Sequence, residues 1–230
     1  MLNHSGRSRL SLEKQSLYNG DKMTQREFHK AYSAMPESFK AELIGGMVHE
    51  PPPPSLMHAQ ENSLIITVLK TYSLHTPGTQ SGSNGTIILS DEDEVQPDSF
   101  LRIQPEFGGQ SSNWRRVIKG APELVAEVSF TSRAIDLHIK KDRYTKFGVQ
   151  EYIVSCIEPR LFYWFALQRG DVLAMDKDGI CRSESFPGLW INAESLLSGR
   201  EPEVLETLLL GLKSLEHAQF ISELRTRKTR

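Results

Sequence analysis

The sequence predicts a mixed α/β fold, with one central mixed β-sheet flanked by helices. Three observations predict it. Strand-like and helix-like apolar patterns alternate along the chain. The most apolar strand pattern, Ala121–Phe130, is followed within a few residues by a helical one. No internal repeat or low-complexity segment interrupts the 230 residues. That length is about one and a half average domains, so one decorated domain is expected, burying about 70% of its extended-chain area.

The elements follow in order. Residues 1–22 are polar, without lasting period, and are read as a loose arm. A short helix follows, with Thr24 as N-cap and Phe28, Tyr32 and Met35 at helical spacing. Gly45-Gly46 between two apolar runs signals a two-residue hairpin, and Pro51 to Pro54 end its pairing. His58 to Tyr72 reads as an amphipathic helix carrying Leu64, Ile65, Val68, Leu69 and Tyr72. Residues 75–83 read as a loop, Thr86–Leu89 as a strand, Asp91–Glu94 as an acidic loop, and the segment from Pro97 to Ile103 as the next strand. An exposed connection over 106–120 leads to Ala121–Phe130, the strongest strand. Asp136–Phe147 reads as a helix closed by Gly148. Strands follow at Glu151–Ile157 and Leu161–Ala166, with weaker ones at Val172–Met175 and Gly179–Ser183. From Asn192 onward the chain is helical by pattern, with Leu205, Leu208, Leu209 and Leu212 three and four apart. The expected organisation is an arm (1–22), a main domain (23–191) and a C-terminal helical extension (192–230).

Composition excludes several classes. With 27 Lys and Arg against 29 Asp and Glu, the net charge is −2, which argues against binding nucleic acid through bulk electrostatics but not through one local site. No apolar run is long enough to span a bilayer, and no apolar core of a secretory signal is present at the start. Two cysteines, Cys156 and Cys181, form no disulfide framework and fit a reducing cytoplasm.

Glu127 interrupts the apolar strand LVAEVSF. A buried carboxylate costs several kcal/mol unless paired, protonated or bound to a cation. By alternation it shares a face with Val125 and Ser129, opposite Leu124, Ala126 and Val128. The bland alternative is an edge strand with Glu127 in water. Asp98 opens the preceding strand; alone, Pro97-Asp98 would mean a solvated loop. On adjacent strands the two carboxylates could share a hard cation such as Mg²⁺, with the Val128 carbonyl as a further oxygen ligand. Lys140 lies on the inward stripe defined by Leu137, Tyr144 and Phe147. It either snorkels, pairs with Asp136 at i,i+4, or reaches a site under the sheet. Two metal-binding carboxylates and one cation can activate water and stabilise a phosphoryl transition state.

These residues resemble a known family. Pro97-Asp98, Glu127–Phe130, Asp136–Lys140 with Tyr144, and Gly148–Val154 are similar to the Uma2 family of putative restriction endonucleases, in the PD-(D/E)xK nuclease superfamily. The similarity continues upstream through Glu42–Val48 and His58, and downstream through Phe186–Trp190 and Leu215–Phe220. It implies a restriction-endonuclease-like core and a Mg²⁺- or Mn²⁺-dependent endonuclease acting on DNA. It also implies a centre built of Asp98, Glu127 and Lys140, with Glu42 as the upstream acid. The sequence departs from the superfamily at Ser129, where its lysine usually sits, so the resemblance implies that the lysine has moved to Lys140 on the helix. The alternative is a catalytically inactive nuclease fold serving as a binding or assembly module. The apolar C-terminal stripe suggests a homodimer whose two sites act on two strands; it equally suits helices capping the chain's own core.

Overall fold

The computed structural model describes residues 16–228. Of the expected arm, 1–15 lie outside the described residues, while 16–22 are docked. Leu17 is buried, and the Gly20 N–H donates to the Val48 carbonyl at 2.8 Å.

Thr24 caps α1 (Gln25–Tyr32) in a reciprocal capping box with Glu27. The predicted hairpin is β1 (Glu42–Ile44) and β2 (Met47–His49). Gly45 and Gly46 turn at φ 60° and 76°, the paired positive values that such a turn demands. Ser55 caps α2 (Leu56–His75), which buries all five predicted apolar residues and, in addition, Glu61.

Four strands form where loops were expected or where a boundary was misread. They are β3 (Thr79–Gly82), β5 (Asp93–Val95), β7 (Ser112–Trp114) and β8 (Val117–Lys119). Between them run β4 (Ile87–Ser90), β6 (Ser99–Ile103) and then β9 (Leu124–Ser129). The acidic loop is therefore corrected. Asp93 and Glu94 are buried, because Asp93 accepts from the Gly45 N–H at 2.9 Å and from Arg143 Nε at 2.8 Å. Glu94 accepts from Gln25 at 2.6 Å and meets His29 Nδ1 at 2.9 Å.

A π-helical stretch, Ile135–Lys140, runs directly into α3 (Lys141–Phe147), which Gly148 ends at φ 89°. The predicted pair follows as β10 (Glu151–Cys156) and β11 (Leu161–Ala166). The two weaker strands shorten to β12 (Asp171–Val172) and β13 (Ile180–Arg182). The chain closes with β14 (Trp190–Asn192), α4 (Ala193–Leu197), α5 (Glu201–Gly211) and α6 (Leu215–Lys228).

The mixed class stands, but the one expected sheet is two. Six strands run β2-β1-β5-β4-β8-β7 and six run β12-β11-β10-β9-β6-β3, with β13-β14 as a separate pair. The second large sheet is hard to read from sequence because β5, β7 and β8 are only three residues long and β5 and β7 are largely charged or polar. In the sheet containing β9, α3 makes the crossover between the parallel strands β9 and β10.

Apolar clusters define the layers. One face of β9 (Leu124, Ala126, Val128) packs with α2 and the C-terminal helices, whose Leu196, Val204, Leu208, Phe220 and Leu224 share that cluster. The other face meets the second sheet and α3 through Val125, Ile44, Ile87, Val95, Tyr144 and Tyr152. A third cluster, including Leu43, Val48 and Phe28, seats α1 and the 16–22 segment on the outer face. The leucine stripe is thus spent largely within the chain. Leu208 is fully buried, Leu205 and Leu212 pack against the first cluster, and Leu209 alone is well exposed.

Candidate active site

Glu127 sits on a central strand, hydrogen-bonded on both sides, so the edge-strand alternative is excluded. Its face, as alternation predicted, is opposite Leu124, Ala126 and Val128 and looks into the space between the sheets. The antiparallel register of β6 on β9 pairs Ser99 with Ala126, which sets Asp98 opposite Glu127. The two interlock: the Asp98 N–H donates to Glu127 Oε2 at 3.3 Å, and the Val128 N–H donates to Asp98 Oδ2 at 2.8 Å.

Lys140 reaches this point from the helix. Its Nζ lies 2.9 Å from Glu127 Oε1 and 2.7 Å from Glu42 Oε2. Glu42 comes from β1 of the other sheet and is held by the Gln96 N–H, which donates to Oε1 at 2.6 Å. All four predicted side chains are therefore brought together from two sheets and one helix. Ser129 is buried beside them, confirming that no lysine stands two residues after Glu127.

Four further groups belong to the site. The Tyr144 hydroxyl donates to Glu127 Oε1 at 3.1 Å, and Tyr152 donates to the Asp136 carbonyl at 3.2 Å. The inward positions of the helix are Asp136, Lys140 and Tyr144; Leu137 and Phe147, expected there, are only half-buried. Asp136 was considered only as a local partner for Lys140, yet its buried charge acts on the whole cluster. His58, at the start of α2, approaches Asp98 Oδ2 with Nε2 at 3.2 Å.

The electrostatics are those of too many acids around one cation. Burial pushes Glu127 well above the ordinary carboxylate range; Lys140 opposes that, and Asp98, Asp136 and Glu42 add to it. Burial also raises Asp136, against Lys140 and Ser132. Burial alone would lower Lys140, but Glu127, Glu42 and Asp136 outweigh it and hold the ammonium well above the ordinary lysine range. His58 is raised first by its hydrogen bond to Asp98, with help from the Val128 carbonyl and against burial.

A divalent cation suits this donor set. Asp98, Glu127 and the Val128 carbonyl are hard oxygen donors. Glu127 Oε2 is held only by a long hydrogen bond. Three acids, Glu127, Glu42 and Asp136, share one lysine, so added positive charge relieves the burial penalty. Among the described residues, no three His, Cys, Asp or Glu side chains already stand as a metal-holding group. Access is from one end: the Asp98 and His58 side chains keep 17% and 19% of their surface, whereas Glu127 and Lys140 keep 5% and 8%.

The site thus joins an acid just before one strand, an acid within the adjacent strand and a lysine from the helix in one buried cluster. The family described as "Uma2: Putative restriction endonuclease" matches residues 26–194, and the chain belongs to that family. Among solved structures, the chain is similar to a putative nuclease belonging to DUF820 from Anabaena variabilis ATCC 29413. The TM-score is 0.60 at 18% identity, covering 76% of this chain and 98% of that one. At that identity the likeness is one of fold. No curated protein matches. No described helix is long and apolar enough to cross a membrane.

Proposed function

We propose that the chain is a Mg²⁺- or Mn²⁺-dependent endonuclease hydrolysing phosphodiester bonds in DNA. The observation that carries this reading is the convergence of Asp98 and Lys140 on Glu127, from neighbouring backbone and from the helix respectively. Asp98, Glu127 and the Val128 carbonyl would hold the metal, which supplies water activation and charge neutralisation at the phosphate. The residues do the rest. Lys140, paired with Glu127 and Glu42, serves as a hydrogen-bond donor and positive charge toward a phosphoryl oxygen or the attacking water. Glu42, fixed by the Gln96 N–H, aims that ammonium. Tyr144 orients the Glu127 carboxylate.

The test is cleavage of supercoiled, linear and branched DNA with Mg²⁺ and with Mn²⁺, in the wild type, Asp98→Asn and Glu127→Gln. The expected result is metal-dependent cleavage lost in both variants. No cleavage of any substrate with either metal overturns it. That outcome would favour a second reading, a non-catalytic binding or assembly module. It draws on Glu127 Oε1 already accepting from both Lys140 and Tyr144. Absence of metal binding by calorimetry would complete that case. A homodimer would place two sites on strands of opposite polarity; exposed Leu209, Leu210 and Leu215, not Leu208, are the leucines available for it.

A further inference from the structure

We propose that the β7–β8 hairpin is a DNA contact, in which Arg115, Arg116 and Lys119 meet phosphates and Trp114 stacks on a base. The choice of ligand rests on the nuclease reading above; the surface itself rests on independent features of the hairpin. Trp114 pairs with Val117, so Arg115-Arg116 is a two-residue turn, and Arg115 adopts φ 55°. Glycine is the ordinary occupant of such a position, and a strained arginine at an exposed turn points to a role outside folding.

The charge is also unspent. The chain has more acids than cations, yet Arg115, Arg116 and Lys119 stand together without an acid in Ser112–Lys119. None of the three makes an ion pair among the described residues. Trp114 is 42% exposed, and the Arg115 guanidinium lies 5.0 Å from its ring centroid. An exposed indole beside cations is the combination that binds nucleic-acid strands, since every base offers a face to stack on.

The hairpin is held rigidly. β8 runs parallel to β4 through Ile87 and Ile118, and the buried Arg102 donates to Ser111 at 3.3 Å and to Asn113. Trp114 and Lys119 face outward beside α1, on the side of the sheet away from the acidic cluster. Trp114, Arg115 and Arg116 line one side of a cleft of about 400 Å³ whose other side holds Tyr32, Glu37 and Glu94; Glu94 is already engaged by Gln25 and His29. Gln96 connects this cleft to the site: it accepts from the Tyr32 hydroxyl at 3.3 Å, and its N–H holds Glu42 at 2.6 Å. Across the sheet, β7 and β1 are four strand spacings apart, about 19 Å.

The test is fluorescence anisotropy of a labelled duplex with the full chain in EDTA, where cleavage does not interfere, at several salt concentrations. Arg115→Gly suits the turn, so the unfolding midpoint should not fall. Together with Arg116→Ser it should reduce the slope of log affinity against log salt by about 1.8, at 0.9 per phosphate contact. On a labelled single strand, whose bases are free to stack, Trp114→Ala should weaken binding by between about fivefold and a hundredfold. Folded variants that bind like the wild type, with the same slope, overturn this inference and leave the nuclease reading standing. A wild type that binds neither duplex nor single strand overturns this inference too, and the nuclease reading is then decided by the cleavage test alone. Equal affinity for polyglutamate would assign the hairpin to an acidic protein instead, and would overturn it too.

Discussion

Replacing Lys140 by methionine isolates the central electrostatic claim. Methionine keeps the length of the stem but removes the one cation that, among the described residues, lies within ion-pair distance of Glu42 and Glu127. Both carboxylates are buried, as is Asp136 nearby, so the loss leaves uncompensated charge. Removing one partner of a buried pair costs about 3–5 kcal/mol. At about 2–4 °C per kcal/mol for a chain of this size, the unfolding midpoint should drop by about 10 °C at pH 8. The deficit should depend on pH with a definite sign. Lys140 is the largest influence opposing the rise of Glu127; without it that pKa climbs further. A group whose folded pKa is raised contributes stability that is present below its unfolded pKa, 4.5 here, and lost as pH rises through the folded value. The variant should therefore regain stability between pH 8 and pH 5 as the carboxylates take up protons. Denaturant melts at both pH values decide it. A loss below about 1 kcal/mol at pH 8, or a deficit that grows on acidification, would refute the buried-cluster account.

His58 should titrate above 6.5 by NMR, and Asp98→Asn should bring it down, because the hydrogen bond to Asp98 is the main cause of the rise. The stability from this pair is present below 6.5 and fades as pH climbs through the raised value. Leu208→Ala should cost about 2–5 kcal/mol in denaturant melts as a core truncation, whereas exposed Leu210→Ser should stay within about 0.5 kcal/mol; light scattering on Leu209, Leu210 and Leu215 variants then reports on assembly without unfolding the chain. Gly211→Ala should destabilise strongly, since its Cβ would lie 2.3 Å from the Gly188 carbonyl oxygen and 2.8 Å from the Trp190 ring.

What the sequence revealed depended on how an element earns its stability. α1, the Gly45-Gly46 hairpin, α2 and β9 are encoded locally, by a cap, a turn and an apolar period, and each was legible. β5 and the β7–β8 hairpin are fixed from outside. Asp93 and Glu94 are tolerated in a buried strand only because Arg143, His29 and Gln25 arrive from distant sequence. Asn113 is tied to Arg102 of another sheet. No window around these residues contains their partners, so they read as polar loops. The same applies to the C-terminal leucines, which show an apolar stripe in sequence but not the face of α2 and β14 that covers it.

The site divides along the same line. Asp98 and Glu127 were legible because strand order and alternation place them, and Glu42 followed from the resemblance. The role of Asp136 was missed for a geometric reason. A step of four residues overshoots one α-helical turn of 3.6 by about 40°, so an all-α reading leaves Asp136 beside Lys140 as a local partner but off the centre of the stripe set by Leu137, Tyr144 and Phe147. Here Ile135–Lys140 is π-helical, with i→i+5 bonding and more residues per turn, so the same step falls short instead. The next step, Lys140 to Tyr144, is α-helical and overshoots. The two deviations offset, and Asp136, Lys140 and Tyr144 share one inward line. This also explains how the lysine can leave the strand. Ser129 frees space beside Glu127, and the widened turn delivers Lys140 to the carboxylate from a different backbone, where Glu42 of the opposite sheet meets it. The strand position and the helical turn are thus one coupled arrangement. Ser129→Lys should restore ammonium density beside Glu127 and partly rescue the stability lost in Lys140→Met, a rescue that an independent strand and helix would not give.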